Sequence, residues 1–187
     1  MIAGILLAAG SASRFGSQKL LAALNDGRRL VEASAANLFA AGADTVVAVT
    51  RRDSALLAVL ETCGCHVAIN DQADQGMGTS IATGVTATPD AHGWLIMLGD
   101  MPSIRVETIA AVIAALRGGA RIAIPVMSGK RGHPVGFSAS YLAQLRSLTG
   151  DVGAREILKS DAAFVEEINV DDPGIFADID TPKDLKR

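Results

Sequence analysis

Residues 5–19 of this chain are Ile5-Leu6-Leu7-Ala8-Ala9-Gly10-Ser11-Ala12-Ser13-Arg14-Phe15-Gly16-Ser17-Gln18-Lys19, an apolar strand that runs directly into a loop of small residues. Side chains this small let the backbone N–H groups of the loop approach a polyphosphate, and the two cations, Arg14 and Lys19, neutralise its charge. The segment therefore predicts a nucleotide-binding loop at the carboxyl end of the first strand.

Two common nucleotide-binding loops do not fit this segment. A P-loop requires Gly-x-x-x-x-Gly-Lys-Ser/Thr, but Gly16 comes one residue too late and is followed by Ser17 and Gln18. A dinucleotide fingerprint requires Gly-x-Gly-x-x-Gly, and Ala12 stands at the second glycine position. The pattern that remains, Leu-x-Ala-Gly-x-x-x-Arg-x-Gly-x-x-Lys, resembles the signature loop of the nucleotidyltransferases that activate sugars, polyols and the molybdenum cofactor.

The composition restricts the class of protein. The chain has 187 residues, of which 49% are hydrophobic, so we expect a single domain over residues 1–187 with a sizeable core. The formal net charge is −3 and no basic patch stands out, which argues against nucleic acid as a partner. No apolar run reaches membrane-spanning length, and the first strand lacks the basic flank and cleavage site of a signal peptide. We therefore expect a soluble, cytoplasmic protein without membrane contact.

Cys63 and Cys65 form a Cys-x-Cys pair that is followed by His66. No second cysteine pair completes a tetrahedral set, and His133 is the only other histidine in an evident motif. A metal site and two small residues at the entrance to a strand both fit the pattern, and the second interpretation is favoured.

Apolar β-branched runs alternate with amphipathic helical patterns along the chain. The predicted strands are residues 2–7, 45–50, 66–70, 94–98, 122–126, 134–137, 164–168 and 175–179. The predicted helices are residues 30–41, 54–62, 79–87, 106–117, 139–145 and 154–159. Several strands are apolar on both faces, as expected of a parallel sheet covered by helices. The predicted fold class is α/β: a three-layer, mostly parallel twisted sheet with helices on both faces, which the resemblance identifies as the Rossmann-like nucleotidyltransferase fold.

Acidic residues follow two of the predicted strands. Asp100 lies in Leu-Gly-Asp-Met-Pro after residues 94–98, and Asp178 and Asp180 lie in Asp-Ile-Asp-Thr-Pro, on one side of the strand at 175–179. Ligands of open α/β sheets bind outside the carboxyl ends of strands. The resemblance implies that Asp100 and Asp180 hold Mg²⁺ together with phosphate oxygens, and Asp178 is a weaker candidate. A turn cap at Asp100 and a helix N-cap at Asp180 are the structural alternatives.

Residues 75–80, Gln-Gly-Met-Gly-Thr-Ser, open a predicted helix whose first N–H groups are free to bind a ligand. The resemblance implies that this loop and the first strand hold the nucleotide, through Leu7, Ala8, Ala9, Gly10, Lys19, Gly78 and Ser80. An ordinary glycine-rich helix start is the alternative.

Two further segments resemble the acceptor site of the molybdenum-cofactor branch. Residues 129–135, Gly-Lys-Arg-Gly-His-Pro-Val, form a basic loop between two strands, which suits an anionic substrate, and residues 149–155 read Thr-Gly-Asp-Val-Gly-Ala-Arg. The resemblance implies acceptor-binding roles for Arg131, Gly132, His133, Asp151 and Arg155. A structural histidine and a loop with a helix N-cap are the alternatives.

The five segments follow one another in the order typical of the molybdenum cofactor cytidylyltransferase family, which the chain resembles over its whole length. The resemblance implies Mg²⁺-dependent cytidylyl transfer from CTP to the terminal phosphate of molybdopterin or the molybdenum cofactor, with release of pyrophosphate. Arg14, Lys19 and Asp100 are the implied catalytic residues. Ala9 favours CTP, because the guanylyl branch has a glycine there that leaves room for a purine.

The implied partners are CTP, a molybdopterin-type cofactor and, transiently, a molybdenum hydroxylase. The alternatives are guanylyl transfer to the cofactor, nucleotidyl transfer to a sugar or polyol phosphate, and a non-catalytic cofactor carrier.

Overall fold

The computed structural model describes residues 1–10, 19–52, 54–181 and 184–186. Within these residues the strands are β1 Ile2–Leu7, β2 Thr45–Thr50, β3 His66–Ile69, β4 Gly93–Leu98, β5 Ile122–Met127, β6 Lys130–Arg131, β7 Val135–Ser138 and β8 Val165–Asn169. The α-helices are α1 Leu30–Ala40, α2 Leu57–Thr62, α3 Met77–Thr86, α4 Val106–Arg117, α5 Leu142–Arg146 and α6 Arg155–Ser160. Short 3₁₀ turns cover Lys19–Leu21, Ala73–Gln75, Ala139–Tyr141, Ala162–Phe164, Pro173–Phe176 and Asp184–Lys186.

The strands form one sheet in the order β3-β2-β1-β4-β7-β5-β6, and β8 pairs with β5. β1 is parallel to β2 and β4, β2 is parallel to β3, and β5 is parallel to β8, whereas β7 runs antiparallel to both β4 and β5. Consequently β1 to β5 and β8 all run in one direction. Their carboxyl ends meet at one edge of the sheet, which is where ligands of such sheets bind.

Helices cover both faces of the sheet. As a result, every residue of β1 and most residues of β2 and β4 are buried. One apolar cluster joins α1, α2 and α4 to one face, and a second joins α3, α5 and α6 to the other. Helix α3 lies very close to the sheet, since a Cβ on Gly84 would stand 2.4 Å from Ile5. The predicted fold class, a mostly parallel sheet between two helical layers, is confirmed.

One predicted strand is wrong. Residues 175–179 do not form a strand: Pro173–Phe176 is a 3₁₀ turn, and the chain continues without regular structure. The cause is Asp172, whose buried carboxylate accepts a hydrogen bond from Gly174 N at 2.9 Å and so bends the backbone at the start of the segment. The other predicted elements agree with the structure to within three residues at each end, apart from 139–145, where a 3₁₀ turn precedes α5. Strand β6 lies in the predicted loop 129–135 and was not predicted.

In the described part of the chain, no helix combines the length and apolar character needed to cross a bilayer.

Candidate functional site

Three charged side chains from distant parts of the chain meet at the carboxyl edge of the sheet. Lys19 Nζ lies 2.8 Å from Asp100 Oδ2 and 2.9 Å from Asp180 Oδ1. The Lys19 side chain is 11% exposed, against 23% for Asp100 and 52% for Asp180, so the ammonium is largely covered and the cluster opens to solvent on the side of Asp180. We refer to these three residues as the Lys19 cluster.

Asp100 is held by the loop that leaves β4. Gly99 N donates to the carbonyl of Leu7 at 3.0 Å, and the Gly99 carbonyl accepts from the Ser34 hydroxyl at 2.9 Å. A Cβ on Gly99 would stand 3.0 Å from the Leu7 carbonyl oxygen, so a larger residue would push the loop away from β1. The small residue before Asp100 therefore fixes this carboxylate at the end of β1.

Asp180 lies at the end of an irregular segment, residues 172–180, which we call the strap. At its start the Asp172 carboxylate accepts hydrogen bonds from Arg105 N at 2.9 Å and from the Thr108 hydroxyl at 2.7 Å, at the beginning of α4. Near its end Ile179 N donates to the carbonyl of Asp100 at 3.0 Å. Ile179 is buried while Asp178 and Asp180 are exposed. Burial therefore alternates along these residues as it does in a strand, although they do not form a strand.

The electrostatics of the site favour a cation. Burial lowers the pKa of Lys19, but its hydrogen bonds to Asp100 and Asp180 and their charges raise it more, so the pKa lies above its ordinary value. Burial raises the pKa of Asp178, and the charges of Asp180 and Asp100 raise it further. The site thus concentrates negative charge, of which the Lys19 ammonium compensates a part.

The donor set fits a hard divalent cation that is shared with a substrate. Asp100 Oδ1 is buried and has no hydrogen-bond partner in the described residues, an arrangement that is costly unless a ligand completes it. Within the same residues, no three His, Cys, Asp or Glu side chains are arranged to hold a metal ion. Mg²⁺ is commonly held by one or two carboxylates, substrate phosphates and water, so a two-carboxylate site agrees with its chemistry.

The predicted base-binding residues lie beside β2. Leu7, Ala8 and Ala9 are buried at the end of β1, and Gly10 is exposed. Ser80 is 6% exposed at the start of α3, and its hydroxyl accepts from Asn70 Nδ2 at 2.9 Å. Asn70 also donates to the hydroxyl of Thr79 at 2.9 Å. Sequence reasoning missed Asn70; a polar residue at the end of a predicted apolar strand was the signal for it.

The predicted base loop and the second predicted acceptor segment contact each other. Gly78 N donates to the carbonyl of Gly150 at 2.8 Å. A Cβ on Gly76 would stand 2.3 Å from the Gly150 carbonyl carbon, and one on Gly78 would stand 2.7 Å from the Thr149 carbonyl oxygen. Asp151 and Arg155, in the same segment, are exposed. The glycines of residues 75–80 therefore have a packing role that holds these two loops together.

His133 lies within range of the charges of Asp100 and Asp178, and the Arg131 side chain pairs with a residue of strand β8. Burial lowers the pKa of His133, and the nearby charges of Asp100 and Asp178 only partly oppose this, so the imidazole is neutral at pH 7. Its Nδ1 is buried without a partner among the described residues. Gly132 packs against the strap, where a Cβ would stand 2.6 Å from Ile175. Arg131 Nε donates to Glu167 Oε1 at 2.8 Å.

The structure therefore brings Lys19 into direct contact with both Asp100 and Asp180, and His133 lies within range of the charge of Asp100. Arg14, the remaining predicted catalytic residue, lies outside the described residues together with the rest of residues 11–18. A second residue that sequence reasoning missed, Arg51, contacts Ala9 and Asp74, which precedes the predicted base loop.

Comparison with known proteins adds relatives of similar length. The chain is 29% identical to nicotine blue oxidoreductase from Paenarthrobacter nicotinovorans over an alignment of 195 residues that covers 100% of this chain and 95% of that protein. It is also 29% identical to purine catabolism protein PucB from Bacillus subtilis strain 168, with 97% of this chain and 92% of that protein covered.

Solved structures of one protein share the fold at somewhat lower identity. Rv0371c from Mycobacterium tuberculosis H37Rv is 26% identical, with a TM-score of 0.84 and coverage of 100% of this chain and 95% of that one. A complex of Rv0371c with manganese gives a TM-score of 0.77 at 25% identity, over 100% and 96% of the two chains.

A family model described as the MobA-like NTP transferase domain matches residues 4–166. The match includes Lys19, Asp100 and His133, and it ends before the strap that carries Asp180. It confirms the resemblance inferred from the sequence. This chain belongs to the family of MobA-like NTP transferase domains.

Proposed function

We propose that this protein transfers a cytidylyl group from CTP to the terminal phosphate of a molybdopterin-type cofactor, with Mg²⁺, and releases pyrophosphate. The observation that supports this is the Lys19 cluster: a largely covered ammonium within 2.9 Å of two carboxylates, at the ligand-binding edge of an NTP transferase fold. Such a site binds phosphate and a divalent cation together, as transfer of a nucleotidyl group requires.

The chemistry makes modest demands on the protein. A phosphate monoester has a second pKa of about 6, so the acceptor oxygen is already ionised at neutral pH. That oxygen forms a bond to the α-phosphorus of CTP, and the bond from the α-phosphorus to the bridging oxygen breaks, so that pyrophosphate leaves with the electron pair. No general base is needed. The protein has to align two polyanions and offset their repulsion.

Each candidate residue has a role in this scheme. Lys19, with Arg14, binds the triphosphate, while Asp100 and Asp180 hold Mg²⁺. When bound, Mg²⁺ supplies a Lewis acid that stabilises the charge developing on the leaving phosphate. The manganese complex of Rv0371c supports a divalent cation in this fold, and the choice of Mg²⁺ belongs to the proposal.

The acceptor side is formed by His133 with Arg131, Gly132, Asp151 and Arg155. A neutral His133 donates one ring N–H to the acceptor phosphate or to a pterin edge, because the neutral imidazole carries a single donor. Segment 149–155 adjoins the base loop through the Gly78–Gly150 hydrogen bond of 2.8 Å, so the two substrates bind side by side.

The preference for CTP rests on Ala9, which is buried at the end of β1. By the resemblance, the guanylyl branch has a glycine at this position, which leaves room for a purine ring. The base is held by Leu7, Ala8, Ala9, Gly10, Gly78 and Ser80. The proposed product is received by a molybdenum hydroxylase in the cytoplasm.

The relative named an oxidoreductase favours a second candidate, electron transfer to a substrate rather than nucleotidyl transfer. Electron transfer makes no use of a lysine between two carboxylates, so the Lys19 cluster favours the first proposal. One assay distinguishes the two candidate functions, because only nucleotidyl transfer releases pyrophosphate.

The test uses purified protein, molybdopterin cofactor, Mg²⁺ and each of the four nucleoside triphosphates in turn. We expect pyrophosphate from CTP that depends on both cofactor and Mg²⁺. Asp100→Ala should abolish turnover and leave thermal unfolding nearly unchanged, because the Asp100 side chain is not part of the apolar core. Absence of pyrophosphate with all four nucleotides, or near-normal Mg²⁺-dependent turnover in Asp100→Ala, would refute the proposal.

A further inference from the structure

Arg51 joins the two segments that are proposed to hold the nucleotide base. It directly follows β2, and its Nε donates to the carbonyl of Ala9 at 2.9 Å. Its Nη1 lies 2.8 Å from Asp74 Oδ1, in the 3₁₀ turn that leads into the glycines of the base loop. The Arg51 side chain is 35% exposed, so one guanidinium is held between the end of β1 and the start of the base loop.

The hydrogen bonds around Arg51 continue into the base loop itself. Asn70 N donates to the carbonyl of Thr50 at 2.8 Å, and Asn70 Nδ2 donates to Ser80 Oγ at 2.9 Å. The end of β2 therefore connects Ala9 on one side with Ser80 on the other. Arginine suits this position, because its planar guanidinium offers several N–H donors in a fixed arrangement, whereas lysine offers a compact point charge.

We propose that Arg51 is a positioning residue that fixes the Ala9 peptide against the base loop and so sets the choice of nucleotide base. This inference rests on the proposed function, since it concerns the same nucleotide site. One methyl group discriminates between ligands by about ten- to two-hundred-fold at most, and only where the group is rigidly held. If the Ala9 backbone were free to move, the loop would open and a purine would fit.

The neighbouring Arg52 offers a matched control. It makes a bidentate ion pair with Asp71, with Nε 3.2 Å from Oδ1 and Nη2 2.8 Å from Oδ2. Arg52 thus also ties the end of β2 to the segment before the base loop. The Arg51 guanidinium differs in that it binds the Ala9 carbonyl as well.

The experiment compares Arg51→Met, Arg51→Lys, Asp74→Asn and Arg52→Met with the wild-type protein. Steady-state pyrophosphate release gives KM and kcat for CTP and for GTP, and the thermal shift caused by each nucleotide with Mg²⁺ reports binding without turnover. In Arg51→Met we expect the KM for CTP to rise about ten-fold, the size of one charge-assisted hydrogen bond, with kcat nearly unchanged. The preference for CTP over GTP should fall by a similar factor.

The other variants define the cause. Arg51→Lys should recover part of the preference, Asp74→Asn should lose part of it, and Arg52→Met should behave as wild type. Because Asp74→Asn leaves Arg51 in place, it keeps the test decisive even if Arg51→Met folds poorly. The role of Arg51 is refuted if Arg51→Met and Asp74→Asn both keep the wild-type preference, or if the preference falls equally in Arg52→Met.

Failure of the two proposals can be told apart. If the wild-type protein shows neither a thermal shift nor turnover with any nucleotide, the proposed function fails, and the role of Arg51 fails with it. If the wild-type protein selects CTP and the Arg51 variants do so equally, only the role of Arg51 fails.

Discussion

Lys19 contacts the same two carboxylates that are proposed to hold a divalent cation. Its ammonium lies between Asp100 Oδ2 and Asp180 Oδ1, so a cation bound at these carboxylates would compete with it. Without either cation, two carboxylates would face each other at short range and repel. We therefore propose that Lys19 stabilises the site when no metal ion is bound and becomes available to the triphosphate once one is.

Replacing Lys19 should expose this competition. In the presence of a chelator, we expect Lys19→Met to unfold at a lower temperature than wild type. The loss in the free energy of unfolding should be only about 1 kcal/mol, because Asp180 is largely solvated and its ion pair with Lys19 is therefore weak. Added Mn²⁺ should then raise the melting temperature of Lys19→Met more than that of wild type, measured by differential scanning fluorimetry. Lys159→Met, which removes an exposed pair with Glu156, is the control. Equal Mn²⁺ responses in all three proteins would contradict the assignment of Asp100 and Asp180.

The surroundings of Cys63 and Cys65 argue against the alternative that these cysteines bind a metal ion. Cys65 is 7% exposed and packs in the apolar cluster beneath α1 and α2, and burial raises its pKa to about 12. Burial also raises the pKa of Cys63. A raised pKa disfavours the thiolate, which is the form that binds metals and attacks disulfides.

Cys65 should accordingly be inert in the native protein. In the variant Cys63→Ser at pH 8, we expect Cys65 to react with an aromatic disulfide reagent at least about a hundred-fold more slowly than an unperturbed thiol, because burial keeps its thiolate fraction small. The rate should rise to the ordinary value in urea. Native labelling as fast as in urea would show that Cys65 is accessible and ionised.

At the scale of elements, the strap shows where sequence patterns stop being informative. Residues 175–179 are apolar apart from Asp178, which is typical of a short strand, and the alternation from Asp178 to Asp180 agrees with their exposure on either side of the buried Ile179. The sequence pattern does not show the long-range hydrogen bond from Arg105 N, at the start of α4, to the Asp172 carboxylate, and this bond sets the path of the strap. The strands β1, β2 and β4 were predictable because they are buried on both faces, a property of their own composition.

The candidate site divides in the same way. Lys19 and Asp100 could be found from the sequence, because each belongs to a motif that follows an apolar strand. Arg51 could not be found in this way, because its partners Ala9 and Asp74 are distant in sequence and an arginine after a strand belongs to no recognisable motif. The pairing of Arg131 with Glu167 on β8 was equally hidden, because it depends on how the strands are ordered in the sheet.

The strap should transmit a change at Asp172 to Asp180. Asp172 is 2% exposed and accepts hydrogen bonds from Arg105 N, Thr108 and Gly174 N. Asp172→Asn replaces a charged acceptor by a neutral one, so we expect a loss of about 2 kcal/mol in the free energy of unfolding, measured in urea. Turnover should fall as well, because Asp180 is no longer held against Asp100. Asp171→Asn, an exposed neighbour, should change neither quantity; if Asp172→Asn destabilises without affecting turnover, the strap does not position Asp180.

At the scale of the whole molecule, the site depends on the order of the sheet rather than on any one segment. Lys19 follows the central strand β1, Asp100 follows its neighbour β4, and Asp180 ends a strap that begins after β8 at the far side of the sheet. Because six strands share one direction, all of these endings meet at one edge. A site assembled from residues 19 to 180 can therefore form only when nearly the whole sheet has formed.

This dependence predicts that residues 1–187 unfold as one cooperative unit. Trp94, the single tryptophan of the chain, is fully buried in β4, and its indole N–H donates to the Thr88 hydroxyl at 3.1 Å. Its fluorescence therefore reports the centre of the sheet, whereas far-UV circular dichroism reports all helices. We expect both signals to give the same midpoint and slope in urea, as a two-state transition requires. An earlier loss of circular dichroism, with Trp94 still protected, would mean that the helices on one face separate from the sheet, and that a single domain is the wrong description.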